Sequence, residues 1–304
     1  MKITIEIRND DFQKQIKKEP DILLVIAETM EQSLNLSLNI SHVLVPLDFE
    51  AKVRELTGRD DYKFQRGSGD AKLTVMAKTL EDENGVVIVI SPWLYVPDPA
   101  PLFDTMVRSF ILSHELAHVM NKKRLPKVAQ ESSAVGSYLG NLYYMFDEYF
   151  ADRFSYQLTE KIFTPTEAWK KFNDNNVLGY INPESHPLYY AEIKSEIEKF
   201  RLHGDVGLFM KRTKEAVSNV SVLMTHGFAA YHQHQAEHTS LQIPITAFVN
   251  EKTFALMDYF KKKYKKGETD LHDGIDQISN YLTNFGLRFE ERPNNKLYAY
   301  VLDI

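Results

Sequence analysis

The chain has 304 residues, 43% hydrophobic, 12% aromatic and 26% charged, with only 13 Gly and 12 Pro. That is enough to bury a core in one large or two smaller domains, and it excludes disordered and collagen-like chains. A formal net charge of −6 argues against a nucleic-acid binder, and the absence of cysteine excludes disulfides, iron–sulfur clusters and thiol nucleophiles.

The N-terminus, MKITIEIRNDDF, alternates and carries charge, unlike a signal peptide. The longest apolar run, near Val86–Ile90, is too short to span a bilayer. A soluble cytoplasmic protein without membrane partners is the expectation, and the sequons at Asn35, Asn39 and Asn219 are then inert. Residues 2–8 alternate as a strand, and Asp21–Gln32 reads as a helix. Segments 36–48, 72–80 and 86–91 read as further strands, the last two joined as a hairpin through the acidic loop ending at Gly85. Alternation is weak over 86–90, which predicts a strand covered on both faces. Pro97, Pro99 and Pro101 then break the chain, and from about 102 to 283 it is mostly helical. The lysine run Lys261–Lys266 reads as a solvated helix end, where cations suit the macrodipole. Leu287–Glu291 and Lys296–Leu302 bracket Pro293-Asn294-Asn295 as a terminal hairpin.

One motif carries chemistry. Residues 111–120, Ile-Leu-Ser-His-Glu-Leu-Ala-His-Val-Met, contain HExxH. On a helix His114 and His118 stand one turn apart on one face, so both imidazoles reach a single ion, with Glu115 beside them to take a proton from a metal-bound water. Phe103, Val107, Phe110 and Ile111 precede them at helical spacing, so the histidines continue an apolar face. A third ligand is needed, and Glu148 of the helical segment Asp147-Glu148-Tyr149-Phe150-Ala151-Asp152 supplies a carboxylate. Asp152, one turn further on, is placed to accept the free ring N–H of a ligand histidine.

His114-Glu115-Leu116-Ala117-His118 together with Glu148-Tyr149-Phe150-Ala151-Asp152 resembles the gluzincin metallopeptidases, in the form whose third ligand lies in an ExxAD motif. Ser185-His186-Pro187 is similar to a His-Pro found downstream in that group. The resemblance covers roughly residues 103–190 and implies Zn²⁺ on His114, His118 and Glu148, Glu115 as general base, and hydrolysis of a protein or peptide substrate. Other zincins fit worse: a metzincin requires Gly and His where this chain has Asn121 and Arg124, and a peptide deformylase requires a cysteine ligand.

The expected fold is therefore α+β and zincin-like. An N-terminal mixed sheet over 1–100 is followed by catalytic helices over 101–200, then by a helical region over 201–304 that ends in a β-hairpin. His186 is the first candidate to stabilise the oxyanion, with Tyr189 or Tyr190 behind it. Substrate is expected to lie along a sheet edge at Val86–Ile90, with Trp93, Tyr95, Tyr143 and Tyr144 as candidate walls. His232, His234 and His238 allow a second metal site, though a polar loop or helix edge explains them more simply. Two further readings stand beside a general peptidase: a regulatory or defence protease that cuts one partner, and a zincin-fold binding protein without activity. Glu115 speaks against the last, since a scaffold needs ligands but no base.

Overall fold

The structure, a computed structural model, describes residues 2–5, 26, 28–29, 32, 39–60, 65–66, 73–82, 85–95, 101–125, 134–163, 167–181, 185–234, 243, 245–292 and 296–304. Strand β1 is Lys2–Ile5 and β2 is Ile40–Val45. The expected strand over 36–48 stops short because Asp48 starts a helix, α1 (Phe49–Thr57), that the sequence reading lacked. Asp48 accepts a hydrogen bond from the Ala51 N–H at 2.9 Å, Phe49 and Val53 are buried one turn apart, and Gly58 ends the helix in the left-handed conformation. Short segments β3 (Gln65–Arg66) and β4 (Leu73–Thr74) pair with each other, and β5 (Ala77–Asp82) and β6 (Gly85–Ile90) form the expected hairpin.

The main sheet runs β1-β2-β6-β5, parallel through β6 and antiparallel to β5. Val86–Ile90 are all buried, as the weak alternation predicted. Their strand is nevertheless interior, hydrogen-bonded to β2 on one side and β5 on the other, so it offers no edge to a peptide. The edge is β5. Gly85 makes the tight return, since a Cβ there would stand 2.5 Å from the Asn39 carbonyl oxygen.

Helices follow: α2 (Pro101–Arg124), α3 (Ala134–Phe163), α4 (Glu167–Tyr180), α5 (Ser185–His203), α6 (Val206–His234), α7 (Glu251–Lys266) and α8 (Ile275–Leu282). The chain ends in the expected hairpin, β7 (Leu287–Arg292) and β8 (Lys296–Val301). The architecture is α+β, with helices dominant, one small mixed sheet and a C-terminal hairpin. Of the expected helix over 21–32, the described residues 26, 28, 29 and 32 are helical. No helix among the described residues is long and apolar enough to cross a membrane.

Contacts divide the chain into two compact units. The first comprises residues 1–65, 74–123 and 151–173, and the second 66–73, 124–150 and 174–304, so helix α3 runs without a break through the division at 150/151. In the first unit α1 covers one face of the sheet through Phe49, Val53, Val87 and Val89. There α2, the second half of α3 and the start of α4 pack through aromatics. Phe110 lies 4.6 Å from Tyr156 and 5.6 Å from Phe172, and Trp169 stacks on Phe172 at 5.4 Å. Each such pair adds about 0.5–1.5 kcal/mol beyond its buried area.

The second unit holds the C-terminal helices and the terminal hairpin, joined where the buried Tyr138 hydroxyl donates to the Phe289 carbonyl at 2.9 Å and accepts its N–H at 2.8 Å. The lysine run does end helix α7, but Lys263 is not solvated. It is buried and lies 3.0 Å from both Glu268 and Asp273. Burial works to lower its pKa, and its bonds to these two carboxylates outweigh that and hold it above the usual lysine value. The bond from Lys263 holds Glu268 below the usual carboxylate range; for Asp273 partial burial opposes the shift, and bonds from Tyr259 and Lys263 overcome it. Depressed carboxylate pKa values give stability that is present above their unfolded values and lost as pH falls through the folded ones. Lys263→Met is therefore expected to lower the thermal midpoint by a few degrees at pH 7. The gap from wild type should close in melts taken at progressively lower pH below the ordinary carboxylate range, and a gap that persists there would mean the lysine acts through packing alone.

Candidate metal centre

Helix α2 carries His114 and His118 one turn apart, and their rings meet edge to face with centroids 4.6 Å apart. Their Nε2 atoms lie 2.9 Å from each other. On the other side of His114, Nδ1 is 2.6 Å from Oδ1 of Asp152, which is 1% exposed. The carboxylate only accepts, so Nδ1 carries the proton and Nε2 of His114 is left with its lone pair turned toward His118. Asp152 thus stands where the sequence placed it, fixing the tautomer a metal requires.

Local packing explains the precision. The Phe110–Tyr156 contact and the His114–Asp152 bond join α2 to the second half of α3, where Ala117 and Ala151 are fully buried. Hydroxyls beside the site close on their own helices: Ser113 donates to the Ser109 carbonyl and Ser155 to the Ala151 carbonyl, each at 2.7 Å. They therefore do not compete for the imidazoles.

Glu148 precedes Asp152 by one turn of the unbroken helix α3. Within the first unit the ligand atoms of His114, His118 and Asp152 stand together, the His114 ring lying between the other two. A donor set of two imidazole nitrogens and a carboxylate oxygen, with one imidazole oriented from behind by a second carboxylate, suits a divalent transition metal. His114 and His118 offer converging nitrogens that could hold a metal ion, and the expected third ligand, Glu148, stands one helical turn before Asp152.

Glu115 is held from the sheet. The Thr79 hydroxyl forms a close hydrogen bond with its Oε2 and lies 3.2 Å from its main-chain carbonyl. His186 is the second residue of α5, with Pro187 in the first turn, where a missing N–H costs nothing, but its side chain lies outside the described residues. Tyr189 is buried in the second unit, and burial, only partly offset by the neighbouring Asn219 amide, holds its phenol above the ordinary pKa. The Tyr190 ring packs on Phe248 at 6.0 Å. Tyr143 is a core residue rather than a wall, its hydroxyl accepting the Leu271 N–H at 3.2 Å, while Tyr144 is exposed. Trp93 and Tyr95 lie on the turn Pro92–Tyr95, with side chains outside the described residues.

Of the histidine-rich segment, His232 departs from the polar edge expected of it. His232 is buried on α6, its Nδ1 2.8 Å from the Tyr149 hydroxyl and its Nε2 3.5 Å from Asp258, among the rings of Phe228 and Tyr231. The bond from His232 holds Asp258 below the usual carboxylate range. His234 ends α6 with its side chain outside the described residues, and His238 lies outside them entirely.

Two residues escaped the sequence reading. His226 lies in the otherwise apolar run Val220–Ala230, where a buried-side imidazole needs a partner, and that was its only signal. Its ring is 5.0 Å from Tyr180, and Gly227 beside it admits Ile181, whose Cγ1 would stand 2.2 Å from an added Cβ. Thr79 gives no sequence signal, because its partner is 36 residues away. Comparison with protein-family models, with curated proteins and with solved structures returns no match.

Asp152→Asn is expected to weaken metal binding about 10–100-fold without abolishing it, because the amide still offers an acceptor but no charge. Competitive titration against a chromophoric chelator measures this. Unchanged affinity would make the Asp152–His114 bond a structural one only.

Proposed function

We propose that this chain is a zinc-dependent peptidase of gluzincin type, with His114, His118 and Glu148 as ligands and Glu115 as general base. The observation that supports this best is the His114 ring. Its Nδ1 is committed to a buried carboxylate, and its Nε2 meets that of His118 at 2.9 Å, so the two HExxH imidazoles converge on one point with their tautomer set from behind. Zinc bound there would polarise a scissile carbonyl and acidify a water. Glu115 accepts the proton from that water and returns it to the leaving amine. Asp152 keeps the His114 lone pair directed inward throughout. A peptide substrate in extended form pairs with β5, an outer strand of the sheet among the described residues and the one that also touches Glu115.

The test is metal analysis of the purified protein beside digestion of a broad peptide library, with wild type and Glu115→Gln in parallel. About one zinc per chain and cleavage of many peptides by wild type alone is the expected result. Zinc with cleavage of one protein partner only would move the protein to a dedicated regulatory or defence protease. Zinc without cleavage of any substrate in the library or in a cell extract would leave a binding protein.

A further inference from the structure

We infer that Thr79 is a positioning residue for Glu115: its hydroxyl holds one carboxylate oxygen and leaves the other to take the proton. The inference rests on the peptidase reading and adds to it the part played by the sheet. Side chains alternate along β5. Leu80 packs against Phe49, Val53, Val87 and Val89 beneath α1, so Thr79 points to the opposite face. There it is 8% exposed, at a position where valine would satisfy both the strand and the core. The hydroxyl has one proton to give and two acceptors within reach, the Glu115 carbonyl and its Oε2. The carboxylate is the stronger acceptor and has the closer contact.

The anchor is firm. Thr79 is paired to Ile88 across the hairpin, and a β-branched side chain has little freedom at χ1. A glutamate has three torsions to fix, and a single fixed donor at one oxygen removes most of that freedom. Because β5 is an outer strand among the described residues, a peptide that pairs with it lies against the strand that carries this donor. Substrate register and the orientation of the base are then set by one element.

The experiment uses the full zinc-loaded chain. Thr79→Val keeps shape and strand preference and removes the donor. It is expected to lower kcat about 10–100-fold, as loss of an orienting partner does, with KM and zinc content unchanged and with Thr79→Ser restoring most of the rate. An unchanged kcat, a serine variant as impaired as valine, or a loss that follows lost zinc would each overturn the inference. Thermal unfolding separates this from failure of the peptidase reading. Thr79→Val should lower the midpoint more in the wild-type background than in Glu115→Ala, where only the main-chain carbonyl remains as its acceptor. A wild type that cleaves nothing but shows this coupling retires the peptidase and keeps the hold of Thr79 on Glu115. Absence of the coupling retires the inference whatever the activity.

Discussion

Glu115→Gln is expected to fold, to bind metal as wild type does, and to lose hydrolysis by at least ~10²–10⁴-fold, the usual contribution of a positioned base. The amide is nearly isosteric with the carboxylate and can still accept the Thr79 hydroxyl through its oxygen, so the link between α2 and the sheet survives. What it cannot do is take a proton from water at neutral pH. The loss should therefore fall on kcat, with KM little altered. Two controls make the result readable. Zinc content must equal that of wild type, since Glu115 neighbours the ligand His114 in sequence, and the unfolding midpoint must stay close to it. Retained cleavage with both controls satisfied would mean that another group is the base, or that the activity belongs to a contaminant.

Much of this arrangement was legible because it depends on helical period. His114 and His118, and Glu148 and Asp152, are pairs at i and i+4, and the period alone puts each pair on one face. The expectation that Asp152 would reach one of the two histidines followed from the same period, and it lies 2.6 Å from His114 Nδ1. Strand content near Val86–Ile90 was equally clear, but strand order was not. Whether a buried strand lies at an edge depends on what pairs beside it, and β1 and β2 come from more than forty residues upstream, which no local pattern encodes. The missing helix α1 is a different failure. Its Asp48 cap and Phe49/Val53 spacing were present in the sequence, but the preceding apolar residues 40–45 drew the whole stretch into one strand. Lys263 and His232 share a third cause. Polar residues default to solvent, and only tertiary partners, Glu268 and Asp273 for one and Tyr149 for the other, make their burial tolerable.

Glu148→Ala is expected to reduce bound zinc from about one per chain to well below that after dialysis against a weak chelator. Structural zinc sites bind with about 10–16 kcal/mol over four ligands, so one ligand is worth about 3 kcal/mol, or ~10²-fold in affinity. A carboxylate also neutralises part of the metal charge in a way the two imidazoles cannot, so its loss should exceed that of Asp152→Asn, which leaves all three proposed ligands in place. The unfolding midpoint gives an independent readout, because any ion that binds the native state alone raises it. Wild type should therefore unfold at a lower temperature once the metal is stripped and recover when zinc is returned, while Glu148→Ala should unfold near the stripped value under both conditions. A full zinc complement in Glu148→Ala, with the zinc-dependent rise in midpoint intact, would remove Glu148 from the ligand set.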